Sequence, residues 1–341
     1  MRNFKRFLAL MLTVLMVAGC FAIPTSAAAS EKFDDVDQYV DAIDTLAAIG
    51  VVTGKSETAF GTDEAVQRYQ AALLFARALT GKTDNAVWQT GVNNSVFADL
   101  DENPQDLFVN AISYANNNGI VTGKSATKFA PRDGITFEQG LTMAVRALGY
   151  ETAAMKASAT TGLWMYIDKA ISLGLDAELE DITDYKATLT RGQMAQLIYN
   201  MMFVETADGY TYAAKAFNLI TETFVLTSTN TTKYDIGNDG ITLAAPGYVG
   251  LTVLAADGSL GKTYYFEAET LKGLLGTESA NFDAFVGYSY NVIADDTLAN
   301  IYAIDQNEVK VFENTLDATT FTISAAANGN GALSVGGRLT L

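Results

Sequence analysis

Gly119-Ile120-Val121-Thr122-Gly123-Lys124-Ser125 has a near-copy at Gly50-Val51-Val52-Thr53-Gly54-Lys55-Ser56, 69 residues earlier. The register extends beyond the loop, since Ala42/Ala111, Phe60/Phe129, Gln70/Gln139 and Arg77/Arg146 keep the same offset of 69. A fixed offset held by several residue types is an internal repeat, and the fold has to be read from it. The glycines do not make a phosphate-binding loop. That motif needs four residues before Gly-Lys-Ser, and Asn118 stands where its first glycine would. These glycines also follow a helical pattern rather than a strand.

Outward from the loops, Val36, Val40, Ile43 and Leu46 recur at helical spacing and end at Gly50, a C-cap glycine. A second helix is predicted from Gln67 to Leu79, and Trp88 to Asn94 reads as a linker. The plan recurs with a helix through Ala111 and Ala115 to Gly119, then one from Thr136 to Leu148. A divergent third copy runs from Tyr166 to Gly174 and resumes at Thr190-Arg191-Gly192-Gln193, but carries Leu175-Asp176-Ala177-Glu178 where the Thr-Gly-Lys loop would be. The repeats are bounded at 30–85, 93–152 and 155–207. Each is too small to bury its apolar face alone, so the three are expected to pack as one domain.

Residues 1–29 read as a secretory signal peptide: Arg2, Lys5 and Arg6, an apolar run from Phe7 to Ala18 too short to span a bilayer, then Ala27-Ala28-Ala29. Val17-Ala18-Gly19-Cys20 also fits a lipoprotein box, and the polar stretch with Pro24 favours cleavage near Ala28 over lipidation of Cys20. No other segment could span a membrane. Cys20 is the sole cysteine, so the exported chain is expected to have no disulfide. The chain has no histidine, which excludes imidazole acid–base chemistry, His-based triads and the usual zinc sites. Its formal charge is −17, three units more negative without the signal; such a surface repels nucleic acid and favours solubility or cation-dependent assembly.

From about 213 the composition turns β-rich, with runs at 222–228, 240–244, 248–254, 263–266, 288–293 and 301–304, and a short helix is expected at Glu269 to Leu275. A small barrel or sandwich is expected over 213–341. Gly331 to Leu341 enter a strand-like pattern and stop, which leaves a domain truncated at its C-terminus as one expectation.

Phe33-Asp34-Asp35-Val36, an Ala-rich helix, Gly-Val-Val-Thr-Gly, Phe60 and a helix start in the manner of Thr-Arg-Ala-Glu together resemble a surface-layer homology (SLH) domain over about residues 30–205. The resemblance implies an α+β multidomain chain: three helical SLH repeats packed as a three-pronged pseudo-trimer, followed by the β domain. It also implies binding of secondary cell-wall polysaccharide, often pyruvylated, in grooves between repeats. That would anchor the chain non-covalently to a Gram-positive-type wall.

The Thr-Arg-Ala-Glu position reads Gln67-Arg68-Tyr69-Gln70, Thr136-Phe137-Glu138-Gln139 and Thr190-Arg191-Gly192-Gln193. Thr and Gln there make a capping box. Arg68 and Arg191 gain nothing from the helix dipole; they suit bidentate capture of a sugar carboxylate, against the alternative of a solvated surface arginine. Phe137 departs from the pattern, leaving Lys124 or Arg132 as substitutes. Gly54 and Gly123 match the family's loop glycine, either for backbone approach to the sugar or for a turn of positive φ. With Lys55, Lys124, Thr136 and Thr190 they complete the expected polysaccharide-binding set.

Neither a cofactor nor a metal site is expected. Asp99-Leu100-Asp101-Glu102-Asn103 opens like a calcium loop but meets Pro104 where glycine is obligatory. Calcium remains an expected aid to assembly into a surface lattice. The leading expectation is a non-catalytic S-layer or S-layer-associated protein. The alternatives are an adhesion module or a wall-bound glycoside hydrolase using Glu267/Glu269, Asp295/Asp296 or Asp305/Glu308.

Overall fold

The computed structural model describes residues 33–89, 96–100, 107–231, 234–237, 240–243, 248–268, 271–272, 282, 285–298, 300–311, 323–325 and 333–335. The expected signal peptide, Cys20, residues 101–104 and most of the helix expected at 269–275 lie outside them. The chain divides into two compact units, one through Ile220 with 293–303, the other Thr221–Val292 with the residues from 304.

The described part of the first unit is helical up to Phe217, and three segments in it share one plan. Segment one pairs α1 (Val40–Ala48) with α2 (Arg68–Thr80), followed by the short α3 (Asn85–Gln89). Segment two pairs α4 (Val109–Asn117) with α5 (Phe137–Ala147). After α6 (Ala153–Ser158), segment three pairs α7 (Trp164–Ser172) with α8 (Arg191–Phe203), and α9 (Tyr212–Phe217) closes the unit. Each first helix stops at a glycine of positive φ, Gly50 at 77°, Gly119 at 72° and Gly174 at 73°, a conformation in which a side chain would be strained. The second helices start on the anticipated glutamines. Gln70, Gln139 and Gln193 accept the backbone N–H of Gln67, Thr136 and Thr190 at 2.9, 3.3 and 2.9 Å. Only Thr190 returns the bond, accepting from Gln193 N–H at 3.2 Å; the Thr136 hydroxyl is buried without a partner.

The three segments meet where those helices begin. Val66 N–H donates to Leu189 C=O at 2.9 Å, Leu189 N–H to Ile135 C=O at 2.9 Å, and Ile135 N–H to Val66 C=O at 3.1 Å. This closed ring satisfies three backbone pairs that burial would otherwise leave unmet. Val66, Ile135 and Leu189 are themselves buried. Helix α8 is buried along nearly its whole length, and its polar residues are satisfied inside. Gln196 Nε2 donates to Asn200 Oδ1 at 2.9 Å, and Asn200 Nδ2 donates to the carbonyls of Leu175 and Ala177 at 3.1 and 2.8 Å.

The linker expected from Trp88 begins differently. Trp88 is buried in α3, its indole N–H donates to Lys82 C=O at 2.7 Å, and its ring meets Tyr114 edge-on at 5.7 Å. A tryptophan with a satisfied N–H is an anchor rather than a spacer residue. Residues 90–94 lie outside the described set.

The β-region is an open five-stranded antiparallel sheet, and neither barrel nor sandwich is seen among the described residues. Its order is β5 (Leu260–Glu267), β4 (Tyr248–Leu254), β1 (Leu219–Thr231), β6 (Tyr288–Asp295), β7 (Ile301–Lys310). Two short hairpins, β2 (Tyr234–Gly237) with β3 (Gly240–Leu243) and β8 (Ile323–Ala325) with β9 (Leu333–Val335), form separate two-stranded sheets. Closure needs strand number and stagger that let the two edges pair. Here β5 and β7 are the edges, and β5 opens with exposed residues. Phe224, Leu226, Leu251 and Phe266 bury their side chains, while the Thr227, Thr252 and Thr263 hydroxyls form a ladder with 2.8 Å steps.

Candidate ligand grooves

Three equivalent junctions surround the hydrogen-bonded ring, each made by one segment's second helix against the next segment's loop. Arg68 N–H donates to Asp133 C=O, Phe137 N–H to Ala187 C=O and Arg191 N–H to Glu64 C=O, at 2.9, 3.0 and 2.8 Å. The side chains then do related work by different chemistry. Arg68 donates from Nε to Phe129 C=O at 3.0 Å and from Nη2 to Thr122 C=O at 2.8 Å, with its guanidinium 4.6 Å from the Phe129 ring centre. Arg191 donates from Nε to Phe60 C=O and from Nη2 to Thr53 C=O, both at 2.9 Å, and lies 4.8 Å from the Phe60 ring centre. At the third junction Phe137 stacks on Tyr185, with centroids 5.4 Å apart and planes at 9°.

The use of both arginines lies outside their own helices, as the dipole argument requires, but neither is a solvated surface arginine. Each fixes a neighbouring loop by its carbonyls, and burial pulls both guanidinium pKa values down. Two of each arginine's five N–H donors are spent, so donors remain for a ligand. The arginine-free junction is the one built on the segment-three loop.

Gly54 and Gly123 do not have the positive φ that a tight turn would ask for. Their reason is space. A Cβ at Gly123 would stand 2.4 Å from Phe97 Cε1 and 2.5 and 2.6 Å from the carbonyl oxygens of Ser125 and Lys128. At Gly54 it would stand 2.4 Å from Phe33 Cε1 and 2.7 Å from Ser56 C=O. The neighbouring aspartates brace the same loops. Asp35 accepts the N–H groups of Phe60, Gly61 and Thr62 at 2.7, 2.6 and 3.4 Å, and Asp99 those of Phe129 and Ala130 at 2.9 and 2.8 Å. Burial pulls the Asp35 carboxyl upward, but these backbone bonds outweigh it and hold its pKa below the ordinary aspartate value.

Two junctions open into grooves. The first, about 150 Å³, lies on segment one and is lined by Arg191, Thr53, Tyr69, Gln70, Arg77 and Asn85 among others. The second, about 250 Å³, lies on segment two, with Arg68, Thr122, Gly123, Lys124, Gln139 and Arg146 in its wall. The expected set is therefore split. Arg191 faces the first groove, and Arg68, Gly123 and Lys124 the second. Gly54 and Lys55 do not line the first, Thr136 and Thr190 belong to the helix starts at the ring, and Arg132 is exposed and lines neither. Lys55 pairs with Glu64, and Lys124 with Asp133, whose carboxyl that contact holds below the usual range.

Arg77 and Arg146 line the grooves without having been anticipated as site residues, although their shared offset of 69 was visible. Arg146 Nε donates to Glu151 at 2.7 Å, and the Tyr166 hydroxyl donates to the same carboxylate oxygen at 2.5 Å. Burial pushes the Glu151 carboxyl up, and these two partners more than reverse it.

Of the carboxylate pairs considered for hydrolysis, Asp295/Asp296 is the one whose side chains are described on both members. Asp295 is committed to its turn, accepting from the Thr297 N–H and hydroxyl and from the Asn300 N–H and amide. Among the described residues no cluster of three or more acidic, histidine or cysteine side chains could hold a metal, and no helix is long and apolar enough to cross a membrane.

Comparison with known proteins gives a match to the S-layer homology domain over residues 96–139. The chain is 27% identical over 223 residues to a "Middle cell wall protein" of Brevibacillus brevis, covering 64% of this chain and 19% of that protein. It is 28% identical over 201 residues to a "Cell surface protein" of Thermoanaerobacter kivui, covering 58% and 24%. An "Endoglucanase" of a Bacillus species is 25% identical over 236 residues, covering 63% and 24%. The chain thus spans about a quarter or less of each relative's length. Residues 96–139 thus match the S-layer homology domain, and most of the relatives found are named as S-layer, cell-wall or cell-surface proteins.

Proposed function

We propose that this chain is an exported, non-catalytic surface protein held to a Gram-positive-type wall by three SLH segments, at 30–85, 93–152 and 155–207, that bind an acidic wall polysaccharide. The observation that carries this is the pair of equivalent grooves, each with an arginine from the preceding segment beside a second arginine of its own, in a chain of charge −17. Cations gathered in two clefts of so acidic a chain suit an anionic ligand, and a guanidinium fork suits a carboxylate such as a pyruvyl ketal. Arg68 with Lys124, and Arg191, are the proposed contacts. Gly123 keeps the loop close against Phe97 in the wall of the second groove.

The test is co-sedimentation of the full exported chain with purified walls before and after extraction of the non-peptidoglycan polysaccharide. Binding lost on extraction supports the proposal; undiminished binding to bare peptidoglycan refutes the ligand. Calcium-dependent self-assembly of the same protein would place it in a lattice. The endoglucanase relative favours a second reading, in which this region anchors a wall-bound enzyme, and reducing-sugar release from wall glycans would decide for it.

A further inference from the structure

Ten residues before the glycine that ends each first helix, Val40, Val109 and Trp164 hold one position of the repeat, each as the first residue of its helix. Val109 is fully buried and Val40 half-buried, whereas Trp164 is 63% exposed. No other aromatic side chain among those described is exposed. The backbone entering each helix accounts for the difference. Tyr39 and Phe108 are left-handed, with φ of 57° and 49°, and Leu163 is not, with φ of −101°. The chain therefore turns into α7 differently, and the first side chain of that helix leaves the core.

The turn that Trp164 follows is a rim of the second groove. Ala159 and Leu163 lie in the wall of that groove, whose volume is about 250 Å³. The indole leans back over this turn, its Cδ1 4.0 Å from where a Cβ at Gly162 would stand, the direction in which helical side chains lean. Thr160 and Thr161 are exposed in the same turn. Their hydroxyls donate to the Ala157 and Ser158 carbonyls at 3.2 and 2.9 Å, which leaves their oxygen lone pairs as acceptors. An exposed aromatic face with acceptors at its margin fits a pyranose ring, which offers C–H groups on one face and hydroxyl donors around its edge. We propose that Trp164 is a stacking platform for a neutral sugar unit adjoining the one in the second groove, with Thr160 and Thr161 accepting from its hydroxyls. An indole turned outward where the repeat elsewhere buries a valine forgoes the burial of an apolar side chain, and a sugar seated on it restores that burial.

The inference rests on the groove reading above for the saccharide nature of the ligand, and the test separates the two. The full exported chain and its Trp164→Ala variant are titrated calorimetrically with purified non-peptidoglycan wall polysaccharide. Trp164 is followed in parallel by iodide quenching, which reaches it and not the buried Trp88. Saturating polysaccharide should shield Trp164 from iodide and move its emission to shorter wavelength. Trp164→Ala should keep the wild-type melting temperature, because the side chain is exposed, and should bind about threefold to tenfold more weakly. Trp164→Phe should recover part of that loss. The ratio should hold at high salt, since stacking is not screened as a charge contact is. Binding unchanged in Trp164→Ala, or a Trp164 still open to iodide at saturation, overturns the platform and leaves the groove reading standing. Polysaccharide that binds neither protein overturns both. Ile171, two turns along α7, is 45% exposed, which makes a second copy of the chain the rival occupant. Shielding of Trp164 that rises with protein concentration alone assigns the face to that copy and overturns the platform.

Discussion

Replacing Arg191 by methionine keeps much of the aliphatic volume of the side chain and removes all its donors. The Phe60 carbonyl, on a residue 1% exposed, then loses its partner, and the more exposed Thr53 carbonyl turns to water. Losing a hydrogen bond from a charged donor to a buried acceptor costs about 1.5–3 kcal/mol. The cation–π contact with Phe60 adds about 0.5–1 kcal/mol, and the outer bond little. The expected loss is about 2–4 kcal/mol. For a helical unit of this size that is a drop of roughly 5–15 °C in its melting temperature. Arg191→Lys should recover part of it, because the charge and the ring contact survive while the two-pronged donation does not. The assay is thermal unfolding by far-ultraviolet circular dichroism, read on the helical signal. An Arg191→Met protein melting within a degree of wild type would refute the view that this arginine ties segment three to segment one.

Gly123→Ala should destabilise by about 1–3 kcal/mol or more, because two of the obstructing atoms are backbone oxygens, whereas Gly119→Ala, with nothing within 4 Å of the new Cβ, should cost about 1–2 kcal/mol from its φ of 72° alone; paired urea midpoints decide the order. Asp35 has a folded pKa below the ordinary aspartate value, so its stabilisation is present at neutral pH and is lost as pH falls from about 4 through the folded pKa. The stability gap between wild type and Asp35→Asn should therefore close on acidification, and a gap that widens at low pH would contradict the brace. Trp88 is buried and Trp164 is 63% exposed, so iodide should quench Trp164 fluorescence selectively, and Trp88→Ala should cost about 3–5 kcal/mol by urea unfolding.

The sequence by itself determined the repeat, the helix pairs and their ends. Those signals are local: apolar residues at helical spacing, a glycine two residues past each first helix, and a glutamine three residues into each second helix. A β-rich change near 213 was equally legible, since alternation and turn residues are also local. The closed ring through Val66, Ile135 and Leu189 was not, because each bond joins residues at least 54 positions apart in sequence. The partners of Arg68 and Arg191 were hidden for the same reason. Sequence shows that a cation is out of place in a first turn, but only packing shows that carbonyls 61 and 131 residues away receive it. Gly54 and Gly123 read in the sequence either as turn glycines or as glycines for backbone approach to a sugar; that Phe33 and Phe97 lie against them is a matter of excluded volume, which only packing shows. The sheet stayed open because closure depends on stagger and edge pairing, which no single strand encodes. Arg77 and Arg146 occupy the same repeat position; the sequence already puts Lys82 where Glu151 stands, and only the tertiary structure shows that Glu151 folds back onto Arg146 while Arg77 reaches Val51 and Asn85.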